Sequence, residues 1–281
     1  MKIRLITAAG MAVVGIPILI FSKYIVFPIL LSLLALCAVF EMFRVFGVEK
    51  NYFISVPAYL MALAFPILAY VHAEYYDSAY TLEFILISAA TLFVYLIYLF
   101  FVAVFMRGAL KFSSISECFA AAVYIILSFT SLSVMRYMQN GIWNLVIILV
   151  AAWGSDVFAY FTGRLFGRHK LIPEVSPKKT VEGSIGGIVC ATLLSALYGF
   201  IVSCATELTP NYIVLVVSTF ILSAVSQVGD LIASLIKREH GIKDYGKIFP
   251  GHGGVMDRFD SVLSITTILM AICLIFPPFT A

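Results

Sequence analysis

Five aspartates and a set of lysines and arginines are the residues here whose types and spacing could do chemistry. The segment 212–236 runs on into "SAVSQVGDLIASLIKREHG", where Ser223, Ser226, Gln227, Asp230, Ser234, Lys237 and Arg238 recur at steps of three or four on an otherwise apolar helix. Asp230 stands seven residues before Lys237, about 10 Å further in at 1.5 Å per residue. Placing an aspartate at the centre of a membrane helix costs about 2.5–3.5 kcal/mol. It therefore faces other helices or a water-filled cavity and marks a functional position unless an arginine neutralises it there. A second stripe, in "WGSDVFAYFTGRLFGRHK", places Trp153, Asp156, Tyr160 and Arg164 on one face. The third element is "KIFPGHGGVMDRFDS", 247–261, where Asp257, Arg258 and Asp260 precede an apolar run. Capping explains one carboxylate at a helix start, since acidic groups suit the positive end of the helix dipole; it explains two less well.

Gathered carboxylates call for a cation. Hard oxygen ligands suit Mg²⁺, and phosphate oxygens commonly complete its shell. His72, His169, His240 and His252 are isolated, so no zinc-type spacing competes. The counterpart is the basic stretch "GRLFGRHKLIPEVSPKKTVEGSIGG", with Arg164, Arg168, His169, Lys170, Lys178 and Lys179 beside Ser176, Thr180 and Ser184. It reads either as a positive anchor on anionic headgroups or as a cradle for phosphates, with amides of a Gly-rich helix start adding donors. Gly183 and Gly187 equally fit a G-x-x-x-G helix-packing pattern that needs no ligand, and "PGHGG" is a turn signal first.

The elements that must position these groups are membrane helices. Of 281 residues 62% are hydrophobic and 12% charged, where soluble domains carry about 25% charged residues. Nine stretches reach the length of about 20 residues that a span needs: 3–21, 25–46, 52–71, 84–106, 116–135, 142–163, 183–204, 212–236 and 261–279. The fold expected is all-α and polytopic. The first stretch resembles a signal sequence without a convincing cleavage site and reads as a retained helix. Nine crossings collect 16 of the 18 basic residues on one side and leave only Lys23 and Arg136 on the other. The positive-inside rule then puts the amino terminus in the cytoplasm and the carboxyl terminus outside. The connections 164–182 and 237–260 are cytoplasmic, and too long and polar for simple helical hairpins. Segments 1–140 hold almost no charge within their spans, with Glu41 and Glu117 near cytoplasmic ends, and read as scaffold and lipid or dimer surface; 141–281 carry the chemistry. Five scattered cysteines read as packing residues.

The run 234–260 resembles the signature of the CDP-diacylglycerol synthase, or phosphatidate cytidylyltransferase, family. The resemblance takes in Ser234, Lys237, Arg238, Lys243, Asp244, Pro250, His252, Gly253, Gly254, Asp257, Arg258 and Asp260. "SDVFAYFTGRLFGRHKL" and "SPKKTVEGSIGG" also resemble that family, so the specific likeness covers about 150–265. It implies transfer of a cytidylyl group from CTP to phosphatidic acid, giving CDP-diacylglycerol and pyrophosphate with a divalent metal. It implies a multi-span homodimer in the bilayer, with metal held at Asp230 and Asp257 and with Asp260 and Asp156 ranked below them. Lys237, Arg238 and Arg258 are placed with the catalytic aspartates, and Arg164, Ser176, Lys178, Lys179, Thr180, Ser234, Lys243, Asp244, His252, Gly253 and Gly254 with substrate. Mg²⁺ is the expected cofactor, with room for a second ion; nucleic acid is not expected, and a bacterial cytoplasmic membrane is. The rivals are a CTP-dependent kinase of polyprenols or other lipid alcohols, an ion-coupled transporter, and a protein that only binds anionic lipid. A transporter should carry polar groups through to the far side and often an internal repeat. Here the stripes keep to the cytoplasmic halves, and no repeat is visible.

Overall fold

The computed structural model describes residues 17, 19–76, 82–106 and 111–280. Its elements are α1 (Val26–Val45), α2 (Tyr52–Tyr76), α3 (Leu82–Phe105), α4 (Phe112–Tyr137), α5 (Gly141–Leu149), a π-helical turn (Val150–Gly154), α6 (Ser155–Phe166), β1 (Lys170–Ile172), β2 (Ser176–Thr180), α7 (Val181–Ala205), β3 (Thr209–Pro210), α8 (Tyr212–Glu239), α9 (Met256–Ile275) and β4 (Phe279–Thr280). Eight helical segments among the described residues are long and apolar enough to cross a membrane, α5 through α6 counting as one. They coincide with eight of the nine expected spans. The stretch 3–21 lies outside the described residues except near its end. The all-α polytopic reading holds, with two short antiparallel strand pairs added.

Two compact units emerge. The first comprises 1–138 with 242–258, the second 139–241 with 259–281. In the first, α1, α2 and α4 pack on one another, and α3 lies against α2 and α4. Pro57 and Pro66 interrupt the hydrogen bonding of α2, as membrane helices tolerate when neighbours reach the backbone. Tyr95 donates to Ile54 O at 3.1 Å and Ser133 to Pro66 O at 2.7 Å.

In the second unit α7 lies between α6 and α8. Small residues set the α6–α7 approach. A Cβ on Gly183 would stand 2.7 Å from Ala159 O, and one on Gly187 2.6 Å from Ser155 O. The G-x-x-x-G pattern therefore serves close helix packing.

Two boundaries differ from expectation. The connection 164–182 is not a plain loop. It contains an antiparallel hairpin, pairing Lys170 with Thr180 and Ile172 with Ser176. Its turn closes by Val175 N donating to Ile172 O at 3.2 Å, with Pro173 at the second turn position, where its fixed φ suits the bend. The last span begins at Met256, not 261, and ends at Ile275. Pro277 and Pro278 follow; proline lacks the amide that would continue a helix and disfavours helical backbone in the residue before it. Asp257 and Asp260 thus lie in the first turns of α9.

Candidate active site

The second unit holds a cavity of about 350 Å³ among α6, the β-hairpin, α7 and α8. Asp156, Tyr160 and Arg164 reach it from α6, Lys178, Lys179 and Thr180 from β2, Ser184 from α7, and Gln227 and Asp230 from α8. Helical spacing delivers the α6 set, since residues four apart share a face, and Arg164 Nη1 lies 3.5 Å from the Tyr160 hydroxyl. Trp153, expected on the same face, does not line the cavity and is 51% exposed. It sits in the π-helical turn, whose wider ring breaks the 3.6-residue register between it and Asp156.

Charge is paired inside this cavity. Lys179 Nζ lies 2.6 Å from Asp230 Oδ2 and 3.5 Å from Gln227 O. Gln227 is fixed in turn, its Nε2 donating to Ser184 O at 3.1 Å and its Oε1 accepting from the Ser184 hydroxyl. Thr180 has structural duty: its Oγ1 accepts from Gly183 N at 3.1 Å and caps α7. Glu182 braces the base of the hairpin, accepting from Arg168 N at 3.1 Å and pairing with His169 Nδ1 at 2.6 Å. Lys178 is exposed on the cavity rim. Ser176 is half-buried in β2 and does not line the cavity.

A second cluster lies in the same unit. The Ser261 hydroxyl stands 3.2 Å from Asp156 Oδ2 and 3.4 Å from Asp260 Oδ1, bridging the two carboxylates. Asp230 is an electrostatic neighbour of both, and Lys237 of Asp260. Ser234 is half-buried near the carboxyl end of α8, and Arg238 is exposed there. Among the described residues no three His, Cys, Asp or Glu side chains gather tightly enough to hold a metal ion. Mg²⁺ rarely needs such a cage; one or two carboxylates plus substrate phosphates and water usually suffice. The donor set of carboxylates with a serine hydroxyl is hard oxygen throughout, and fits that ion.

In the first unit Asp257 is buried. Its Oδ2 accepts from Tyr245 N at 2.7 Å and Gly254 N at 2.9 Å. "PGHGG" forms a tight turn closed by Phe249 N donating to Gly253 O at 2.9 Å. Gly251 and Gly253 have φ of 76° and 89°, backbone that glycine takes at little cost. A Cβ on Gly253 would also stand 2.6 Å from Asp257 Oδ2. His252 is half-buried, and its Nδ1 is enclosed without a hydrogen-bond partner. Lys243, Asp244 and Arg258 are exposed. Asp230 and Asp257 belong to different units, and each is placed within its own.

The residue patterns understated Ser261, which the bridge between Asp156 and Asp260 makes central, and Glu41, which accepts from the amides of Val255 and Met256. Ser261 had a signal, one position beyond Asp260 at a helix start. Glu41 had one too, as a carboxylate inside an apolar span.

A polytopic helical membrane protein with carboxylates and lysines gathered in a cavity is the class that fold and site define. A model described as "Cytidylyltransferase family" matches residues 2–276, and the chain belongs to that family. It is 34% identical to the phosphatidate cytidylyltransferase of Bacillus subtilis (strain 168) over 98% of both chains. It is 32% identical to the protein of that name from Staphylococcus haemolyticus (strain JCSC1435), over 96% of this chain and 97% of that one. With its counterpart from Staphylococcus aureus (strain COL) it shares 32% over the same proportions.

Proposed function

We infer that this chain is a CTP:phosphatidate cytidylyltransferase of a bacterial cytoplasmic membrane, working as a homodimer, with its amino terminus in the cytoplasm and its carboxyl terminus outside. The observation that carries the reading is the Lys179–Asp230 pair within a cavity that also admits Arg164, Lys178 and Asp156. Such a mixture suits a polyanion whose charge is shared between protein cations and a metal, and the family supplies the nucleotide.

A phosphate monoester oxygen of phosphatidate attacks the α-phosphorus of CTP. A new P–O bond forms as the bond from that phosphorus to the oxygen bridging to the β-phosphate breaks, and pyrophosphate leaves with that electron pair. The attacking oxygen is already anionic at neutral pH, so no strong base is required. The difficulty is the approach of two polyanions, and positioning with charge neutralisation is the remedy. Arg164, Lys178 and Lys179 are proposed to hold phosphate oxygens, with Lys237, Arg238 and Arg258 taking the outgoing charge at the connection 237–260. Asp230 and Asp257 are proposed to hold Mg²⁺, with Asp156 and Asp260 in support. Held there, Mg²⁺ would supply charge neutralisation to the reacting phosphates. Ser176, Ser234, Thr180, His252 and Gly253 are proposed to donate to phosphate or let it come close, with Lys243 and Asp244 at the rim; Gly254 serves the backbone beside them, since its open side faces Glu41.

Purified protein incubated with phosphatidate and CTP labelled at the α-phosphorus tests this. Label in a lipid-linked nucleotide is the expected result. In a parallel incubation with CTP labelled at the γ-phosphorus, label in lipid means a kinase; no lipid label from the α-phosphorus overturns the assignment.

A further inference from the structure

Helix α9 has no capping side chain among the residues just ahead of it. Thr180 caps α7, and Asn211 caps α8 by accepting from Val214 N at 3.2 Å. Ahead of α9 stand Gly253, Gly254 and Val255, none with a side-chain oxygen. A helix start leaves amides with no intrahelical acceptor, and buried amides without partners are costly. Two of them are met by one distant carboxylate. Glu41 Oε1 accepts from Val255 N and Oε2 from Met256 N, each at 3.0 Å, across 214 and 215 residues of chain. Glu41 is 1% exposed. Arg44, on the same face of α1, donates through Nη2 to Tyr245 O, and Tyr245 N donates to Asp257. Helix α1 thus grips both the start of α9 and the segment that holds Asp257, all within the first unit. Gly254 makes room for this: a methyl there would overlap Glu41, whose carboxylate supplies its three nearest atoms.

We infer that Glu41 is a positioning residue for the transfer reaction. By pairing both its oxygens with the amides of Val255 and Met256, it fixes the start of α9 and so the direction in which Asp257 presents its carboxylate. This rests on the reading that Asp257 serves nucleotidyl transfer. Glu41 itself need touch no substrate. A carboxylate that merely stabilises the fold would, when removed, change how much folded protein there is but not how fast each folded molecule turns over.

The test compares wild type, Glu41→Ala, Glu41→Gln and Gly254→Ala, each reconstituted and normalised to folded protein. Glu41→Ala should lower kcat by about 100-fold, the scale of a small misplacement of a reacting group, with the KM for CTP within about threefold because the binding lysines are untouched. Glu41→Gln keeps one acceptor oxygen and should fall between. Gly254→Ala should show the same kcat defect, yet add nothing in the Glu41→Ala background, where the atoms it strikes are gone. A kcat within twofold of wild type in folded Glu41→Ala overturns the inference, as does full additivity of the two substitutions. If Glu41→Ala does not fold, Glu41→Gln and Gly254→Ala decide, a kcat within twofold of wild type in both overturning it. Hydrogen exchange separates this inference from the activity reading: the amides of Val255 and Met256 should exchange faster in Glu41→Gln than in wild type while the middle of α9 is unchanged. Wild type that transfers no nucleotide sinks the activity reading alone; unchanged exchange at those two amides sinks this one.

Discussion

Lys179 Nζ sits 2.6 Å from Asp230 Oδ2, tying the second strand of the hairpin to the carboxyl-terminal half of α8. The two side chains are about equally exposed, at 25% and 27%. Lys178, the next residue back, is exposed on the cavity rim. Adjacent residues of a strand point to opposite sides, so the two lysines are not equivalent.

Unequal cost follows. A hydrogen bond to a charged group is worth about 1.5–3 kcal/mol, or roughly ten- to a hundredfold. Lys179→Gln should lower kcat/KM for CTP by that factor, and Lys178→Gln by less. Steady-state kinetics on reconstituted enzyme measures both. Equal, near-normal values would return the basic stretch to the role of a topological anchor.

The sequence makes the polytopic helical fold and eight of its spans legible, because long apolar stretches with few charges have few other readings, and its two aspartate stripes do bring Asp156 and Asp230 to one cavity. Spacing alone misplaces Trp153, since a π-helical turn cannot be seen in a 3.6-residue pattern. It also treats 170–180 as loop, since strands of three and five residues are too short for alternation to declare them. Glu41 is visible as an odd carboxylate, but its partners are backbone amides more than two hundred residues away. Backbone amides carry no sequence signal.

Gly183 and Gly187 of α7, which meet backbone of α6, should tolerate no side chain. Gly187→Val would force its Cβ against Ser155 O and Ala159. Overpacking of this kind costs about 1–3 kcal/mol. Thermal unfolding in detergent should move down, whereas Gly241→Ala, with nothing within 4 Å of its Cβ but a φ of +64°, should cost only the backbone strain. Equal melting of Gly187→Val and wild type would contradict the packing role.

The proposed topology is checked by reporter fusions. Those at Lys178 and Lys243 should report the cytoplasm, and those at Asp77 and Thr209 the far side. Thr209 pairs with Thr280 across β3 and β4, so the end of the chain should be labelled from the same side as Thr209. An external signal at Lys178 would separate the cavity from CTP and defeat the proposed function.

Asp257 poses the sharpest choice between capping and chemistry. The amides of Tyr245 and Gly254 both reach one of its oxygens, Oδ2. An asparagine can turn its carbonyl oxygen to that position and keep these two hydrogen bonds while losing the charge. Asp257→Asn should therefore insert and fold like wild type, with a melting temperature nearly unchanged. If the carboxylate is a metal ligand, the same variant should lose transfer activity by more than about 100-fold, as when a group acting in the transition state is removed. Asp230→Asn should lose activity as well, though it also releases Lys179. Asp260→Asn should cost less, since Ser261 can keep its hydrogen bond to Asp156. Chelation should stop the wild-type reaction and added Mg²⁺ restore it, with neither rescuing Asp257→Asn. A folded Asp257→Asn enzyme at near-normal rate, or full wild-type activity in EDTA, would leave Asp257 as a helix cap only.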